Sequence, residues 1–160
     1  MGDLTQLGKK AEGKLKSWLD MPEEGFFMLR LPDQLTGFYG STNMCDFLLY
    51  KKPNFYPIES KATYQDRFDF SMISENQHKD LMKASQVDGV TSYVAVLFAS
   101  YKRLFLLDIR DIVKLEEAGT KSLNIKKIDK WALPYIEVRA ILSRKELLDY
   151  DKEHALEIFK

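Results

Sequence analysis

The chain has 160 residues, 45% hydrophobic and 30% charged, which predicts one globular domain over residues 1–160. Its 24 Lys and Arg residues equal its 24 Asp and Glu residues, which argues against holding nucleic acid by net charge alone. The single cysteine, Cys45, excludes an intrachain disulfide framework and a Cys-rich zinc site. The longest apolar run, Tyr93–Ala99, is far shorter than the roughly 20 residues of a membrane span, and no apolar signal core precedes it. We therefore expect a soluble, cytoplasmic protein.

The first part of the chain predicts one helix followed by three strands. Apolar residues recur at helical spacing in the first segment, and the later segments are rich in strand-forming residues. The predicted elements are helix 3–20 and strands 26–32, 44–50 and 55–61. A hairpin turn is expected at Lys51–Asn54, between the last two strands. Pro57 favours an edge position or a bulge for the last strand, because proline cannot donate to a strand ladder.

The second part alternates helices and strands. Ser74 is a plausible N-cap, and Gln77 three residues later would complete a capping box. Residues 91–99 are nearly continuously apolar, which is typical of a central strand buried on both faces. The predicted elements are helix 74–86, strands 91–99 and 103–108, helix 108–118, strand 135–142 and a helix over 143–151 capped by Ser143. This order indicates an α/β or α+β fold.

Two carboxylates and one lysine are expected to converge at one end of the hairpin. Glu59 and Lys61 lie two residues apart on a strand and therefore share a face, and Asp46 near the open end approaches them. Such a group suits phosphodiester hydrolysis, because Mg²⁺ takes one or two carboxylates together with phosphate oxygens and acidifies its bound water. A lysine beside the metal would orient the water and stabilise charge. The alternative is a solvated hairpin face with weak cross-strand ion pairs.

Four segments carry a resemblance to a known family. They are Gly8–Glu12, then Arg30–Gln34 leading to Cys45–Phe47, then Ile58–Thr63, and then Phe68–Ser71 with Ile73, Gln77 and Leu81 before the strand at 93–99. Their order resembles that of RecU-type Holliday-junction resolvases, especially the short phage-borne versions, in the PD-(D/E)xK nuclease superfamily. The resemblance implies a restriction-endonuclease-like α/β core, with a mixed central sheet flanked by helices, as a single nuclease domain.

The resemblance also implies an activity and its residues. The expected protein is a Mg²⁺-dependent endonuclease, with Mn²⁺ as an alternative metal, that resolves Holliday junctions in recombination or repair through attack by water. Asp46 and Glu59 would be metal ligands and Lys61 the catalytic lysine, with Glu12 completing the acidic cluster. Gln77 would face the site from the following helix, unless its side chain serves only the capping box.

Candidate DNA contacts are cations on exposed elements, because branched DNA is recognised mostly through phosphates and shape. Thr63 is interpreted either as a phosphate contact or simply as a strand residue, and Phe38 and Tyr39 suit either stacking at a junction centre or anchoring of their loop. The candidate cations are Lys9, Lys10, Lys14 and Lys16 on the first helix, Arg67 after the catalytic strand, and Lys121, Lys126, Lys127 and Lys130 in a late basic segment. Each cluster is alternatively a solvated face.

Cleavage of two symmetry-related strands is suited to a C2 homodimer, and apolar residues in 26–31 or 131–142 would form its interface. The expected setting is a bacterial or phage-infected cell. Two other nuclease-fold readings stay open at this point: a flap, single-strand or restriction-type nuclease, and a DNA-binding module without catalysis. An unrelated α/β interaction domain is a third alternative, in which the three residues would not converge.

Overall fold

The computed structural model describes residues 4–21, 23–32, 43–141 and 147–160. The helices are α1 (Leu4–Leu19), α2 (Glu75–Ser85), α3 (Ile109–Glu117) and α4 (Lys152–Ile158). The strands are β1 (Phe26–Arg30), β2 (Phe47–Lys51), β3 (Asn54–Thr63), β4 (Arg67–Asp69), β5 (Tyr93–Phe98), β6 (Arg103–Asp108), β7 (Ser122–Asn124), β8 (Ile136–Glu137), β9 (Ala140–Ile141) and β10 (Asp149–Tyr150). Short 3-10 segments cover Phe70–Met72, Ala99–Tyr101 and Ile125–Lys130.

A six-stranded mixed sheet organises the molecule, in the order β1-β2-β3-β5-β6-β8. The β3–β5 pair is parallel, because α2 crosses over between the two strands, and the other neighbours are antiparallel. Two small two-stranded sheets, β4–β7 and β9–β10, lie outside it. The predicted fold class, a mixed central sheet flanked by helices, is confirmed.

The sheet separates two apolar cores, because alternate side chains of a strand point to opposite faces. On β5, Ala95 and Leu97 face a core shared with α1 and α4, whereas Val94 and Val96 face a core shared with α2 and α3. These are called the α1 face and the α2 face below. On the α1 face, the Nε1–H of Trp18 donates to the carbonyl oxygen of Asp151 at 2.8 Å, which ties α1 to the start of α4.

Pro57 lies in β3, which is a central strand and not the edge strand that the proline suggested. The backbone N–H of Phe55 donates to the Gly89 carbonyl at 2.8 Å, and the regular β3–β5 ladder begins only at Ile58. Pro57 therefore occupies the interval in which β3 has no regular β5 partner. Its missing N–H interrupts no bond of the ladder.

The helix predicted over 143–151 is wrong in its second half, and the position of Ser143 lies outside the described residues. Asp149 and Tyr150 instead form β10, which pairs with β9. Asp151 caps α4, because its carboxylate accepts the backbone N–H of Glu153 at 3.0 Å. No helix in the described ranges is long and apolar enough to cross a bilayer.

Candidate active site

Asp46 lies immediately before β2 and continues its pairing with β3. Its backbone N–H donates to the Ile58 carbonyl at 3.1 Å, and its carboxylate Oδ2 accepts the backbone N–H of Ser60 at 2.8 Å. The side chain thus takes the position of a strand carbonyl on the β2 side of β3. This bond fixes the Asp46 carboxylate next to the residues that flank Ser60.

Glu59 and Lys61 flank Ser60 and point to the α2 face. The Lys61 Nζ lies 3.4 Å from the Glu59 Oε1, and the side chain of Glu59 is only 5% exposed. Ile58 belongs to the core of the α1 face, so the residues on either side of Ser60 project away from that core. The structure therefore brings Asp46, Glu59 and Lys61 together at the β2–β3 hairpin.

Glu59 is a buried carboxylate in an unfavourable place for its charge. Burial, followed by repulsion from Asp46, raises the pKa of Glu59 to about 8, against a lowering effect of Lys61. Its Oε2 atom is buried and has no hydrogen-bond partner in the described part of the chain. Buried polar atoms normally have a hydrogen-bond partner, so this oxygen can still accept a hydrogen bond or bind a cation.

The unpaired Oε2 of Glu59 and the adjacent Asp46 carboxylate fit a divalent cation. Mg²⁺ prefers carboxylate oxygens and keeps several waters, so two carboxylates suffice for it. The described residues contain no group of three or more His, Cys, Asp or Glu side chains that could hold a metal. The residues present therefore fit a site with two protein ligands better than an all-protein cage.

Cys45 precedes Asp46, and its thiol is unreactive. Its thiol is buried and donates to the Phe47 carbonyl at 3.2 Å. Burial, with repulsion from Glu59 as the next cause, raises the pKa of the Cys45 thiol to about 12. The thiol therefore packs as a small apolar group at neutral pH and does not serve as a nucleophile.

Glu12 lies on the other side of the sheet from Glu59. It is half-buried on α1, whose core residues belong to the α1 face, and its carboxylate forms an ion pair with Arg30. Arg30 pairs with Phe47 across β1 and β2, which brings this ion pair close to the Asp46 end of the hairpin. The structure thus pairs Glu12 with Arg30 and, within the described ranges, does not join it to a three-carboxylate cluster, so its role as a ligand stays a prediction.

Gln77 forms the predicted capping box. The Ser74 Oγ accepts the Gln77 N–H at 3.2 Å, and the Gln77 Oε1 accepts the Ser74 N–H at 3.1 Å. Gln77 lies in the first turn of α2, and this helix packs on the face of the sheet to which Glu59 points. The capping role is confirmed, and a further role in the site stays a prediction.

The candidate DNA contacts on α1 and after β3 occupy separate places. Lys9 and Lys10 are exposed, whereas Lys14 forms an ion pair with Asp149. Thr63 is buried, and its Oγ1 accepts the backbone N–H of Gln65 at 3.0 Å, which explains the residue by local structure. Arg67 is exposed and pairs with Asp69. Phe38 and Tyr39 lie outside the described residues.

Two contacts of the site were not anticipated from the sequence. One is the ion pair of Arg30 with Glu12, and the other is the bond from the Ser60 backbone to Asp46. The first depends on the β1–β2 register and on the packing of α1, neither of which leaves a local signal. The second follows from the hairpin register, which the turn at Lys51–Asn54 could have indicated.

The fold is a mixed α/β sheet that brings Asp46, Glu59 and Lys61 together at the β2–β3 hairpin. The sequence profile of the RecU family, described as recombination protein U, matches residues 33–150. The chain therefore belongs to the RecU family. No curated protein sequence matches it.

A similar solved structure, at 1.6 Å resolution, is that of Hjc from Archaeoglobus fulgidus, a Holliday junction resolvase from an archaeal hyperthermophile. It is 18% identical with a TM-score of 0.44, and the match covers 64% of this chain and 78% of that chain.

Proposed function

We propose that this chain is a Mg²⁺-dependent, structure-selective DNA endonuclease that resolves Holliday junctions, acting as a single nuclease domain in recombination or repair. The observation that carries the proposal is the convergence of Asp46, Glu59 and Lys61, with one buried oxygen of Glu59 lacking a partner. Membership of the RecU family, described as a recombination protein, supports DNA as the substrate.

Asp46 and Glu59 would hold the metal, with Mn²⁺ as an alternative to Mg²⁺. When bound, the cation would neutralise charge on the phosphate and make a water more acidic. The backbone N–H of Ser60 holds the Asp46 carboxylate in place, so this ligand needs little reorganisation. The two carboxylates repel each other without a cation, and that repulsion favours binding of a divalent ion.

Lys61 would act directly on the reacting groups. Its ammonium lies beside Glu59 and is largely buried, so its charge is less screened than that of a surface lysine. From there it orients the attacking water and stabilises negative charge that develops on the phosphate oxygens. Hydrolysis by water needs no covalent enzyme intermediate, which agrees with the inert state of the Cys45 thiol.

We further propose a C2 homodimer, which places two such sites on the two strands to be cut. β1 is an edge strand of the sheet, and it exposes Phe27 and Leu29 beside the exposed Tyr50 of β2. Large apolar side chains grouped on an open sheet edge suit a protein interface. Tyr135 and Ile141, in the second segment proposed for an interface, are also exposed.

Cleavage of a labelled synthetic four-way junction, compared with a linear duplex of the same sequence, tests the function. We expect paired symmetric nicks in the junction with Mg²⁺, none with chelator, and little cutting of the duplex. Comparable cutting of both substrates would indicate another nuclease of the superfamily and would overturn the resolvase proposal. Binding of the junction without cutting in Mg²⁺ or Mn²⁺ would instead indicate a DNA-binding module.

The Asp46→Asn variant tests the metal site. The asparagine keeps an oxygen that accepts the Ser60 N–H, so the hairpin should persist, but it removes one negative charge from the site. We expect Mg²⁺ affinity to fall at least about tenfold, as is typical when a group that supports a metal is altered, and cleavage to fall with it. Titration calorimetry measures the affinity, with Asp80→Asn on α2 as the matched control. Unchanged Mg²⁺ affinity would remove Asp46 from the ligand set.

A further inference from the structure

A positively charged surface lies away from the three-residue site, on the small β4–β7 sheet and the 3-10 segment that follows it. Phe68 of β4 and Leu123 of β7 are opposite each other and buried in the core of the α2 face. Side chains on either side of these two residues therefore point outward. The ribbon surface is defined here as the exposed cations Arg67, Lys121, Lys127 and Lys130.

The neighbouring Lys126 has a structural role and is not part of this surface. Its Nζ lies 3.1 Å from the Asp66 carboxylate, which also accepts the Tyr101 hydroxyl at 2.5 Å. The backbone N–H of Ile125 donates to the Asp66 carbonyl at 2.8 Å. These bonds fix the 3-10 segment to the turn between β3 and β4, so the ribbon surface has a defined position relative to β3.

The cations of the ribbon surface are available to an external anion. Lys121, Lys127 and Lys130 form no ion pair within the described ranges, and Asp129 is the one acidic residue between positions 121 and 130. Arg67 pairs with Asp69 at 2.8 Å, but both side chains are exposed, and such pairs are weak in water. A phosphate would therefore meet little competition for these groups.

An open groove of about 220 Å³ lies beside β7, with Lys127 and Lys130 in its lining. Its other polar residues are Thr120, Ser122 and Asn124, and its apolar residues are Leu115, Leu123, Trp131 and Ala132. Lysine, hydroxyl and amide groups are the donors that proteins use for DNA phosphates. The Trp131 Nε1–H donates to the Asn124 carbonyl at 2.9 Å, which joins the two ends of the 3-10 segment at this groove.

The ribbon surface lies within reach of a DNA arm held at the hairpin site. Arg67 follows Lys61 by six residues, and at about 3.4 Å per extended residue the two Cα atoms are at most about 20 Å apart. One turn of duplex DNA spans about 34 Å along its axis. A phosphate at the hairpin and another at the ribbon surface would thus belong to the same turn of one arm.

We propose that the ribbon surface binds backbone phosphates of the duplex arm that adjoins the cleaved strand, with Lys127 and Lys130 as its central contacts. This inference rests on the proposed nuclease function and assigns the surface that positions its substrate. The surface contributes to affinity without taking part in the chemistry at Lys61. It would let a chain of zero net charge hold DNA, because the field at a surface depends on how the charges are arranged.

Fluorescence anisotropy with a four-way junction over a salt series, with chelator present, tests this inference. The variant is Lys127→Ala with Lys130→Ala. The charge-matched control is Lys52→Ala with Lys160→Ala, two exposed lysines near the β2–β3 turn at the far end of β3. Loss of two phosphate contacts should lower the slope of log affinity against log salt by nearly two and weaken binding at least about fivefold. The control should stay within about twofold of the wild type.

Three further measurements make the outcome decisive. Circular dichroism and thermal unfolding verify that both variants fold, and Lys127→Arg with Lys130→Arg should restore the wild-type salt slope. Cleavage by the alanine variant should need a higher protein concentration than the wild type to reach half of its maximum rate, because the lost contacts act on binding. If the wild type cuts the junction but the alanine variant binds like the control, the ribbon inference is overturned and the nuclease function stands. If the wild type neither binds nor cuts, both proposals are overturned.

Discussion

The Lys61→Ala variant is expected to lose cleavage of a four-way junction by at least about 10²-fold while it binds the junction with nearly wild-type affinity. The ammonium lies 3.4 Å from the Glu59 Oε1 and its side chain is only 18% exposed, so water screens its charge little. An interaction made mainly in the transition state lowers kcat and kcat/KM together and leaves binding intact.

Single-turnover cleavage and anisotropy on the same preparation separate these two effects. Lys79→Ala, which removes an exposed lysine from α2, is the matched control and should cleave like the wild type. A Lys61→Ala variant that cleaves within about tenfold of the wild-type rate would show that the lysine has only a structural role. A parallel loss of junction affinity would assign it to binding.

The Glu59→Gln variant is expected to lose cleavage while gaining stability at alkaline pH in the absence of metal. Burial and the proximity of Asp46 raise the pKa of Glu59 to about 8, above the usual value of 4.5. Between these values the folded chain keeps a proton that the unfolded chain releases. The stabilisation is therefore complete below about pH 4.5 and is lost as the pH rises through about 8.

The amide of the variant has no charge to bury. The free energy of unfolding of the variant should therefore not decrease between about pH 4.5 and pH 8 as that of the wild type does. At pH 9 with chelator, Glu59→Gln should exceed the wild type in stability by a few kcal/mol, since one pKa unit corresponds to about 1.4 kcal/mol. At pH 4 the two proteins should differ little. Urea unfolding across this pH range measures the difference, and Glu24→Gln at an exposed position is the control.

The effect of Mg²⁺ on thermal stability is a second test of Glu59. Because a ligand that binds only the folded state stabilises it, Mg²⁺ should raise the thermal midpoint of the wild type at pH 8 and leave that of Glu59→Gln nearly unchanged. A Glu59→Gln variant that is less stable than the wild type at pH 9 would show that the carboxylate makes favourable contacts instead of bearing a buried charge. Retained cleavage would remove Glu59 from the site.

The central elements were predictable because their signals are local. The strand over 103–108 is found as predicted, and α2 begins after Ser74 with the capping box expected of Ser74 and Gln77. The two-residue spacing of Glu59 and Lys61 fixed their common face, because strand periodicity leaves no alternative once the strand is known. The position of Asp46 near these two residues followed from the predicted hairpin alone.

The strands that the sequence did not predict, β4 and β7, are short and depend on distant partners. β4 and β7 contain three residues each, and in each strand one residue, Phe68 or Leu123, is buried. One buried residue shows no periodicity, so the pairing appears only when the core of the α2 face assembles. The C-terminal helix was misplaced for a related reason, since Tyr150 is buried against Trp18 of α1 as part of β10 and the helix begins only after Asp151.

The bond from Trp18 to the carbonyl of Asp151 joins segments that are 133 residues apart. Closing so long a loop carries a large entropic cost before any contact compensates for it, whereas the hairpin of β2 and β3 closes over a few residues. The hairpin that carries Glu59 and Lys61 can therefore form from local contacts before α1 and α4 meet. Synthesis from the N-terminus would leave the apolar side of α1 without its α4 partner until residues 152–158 emerge.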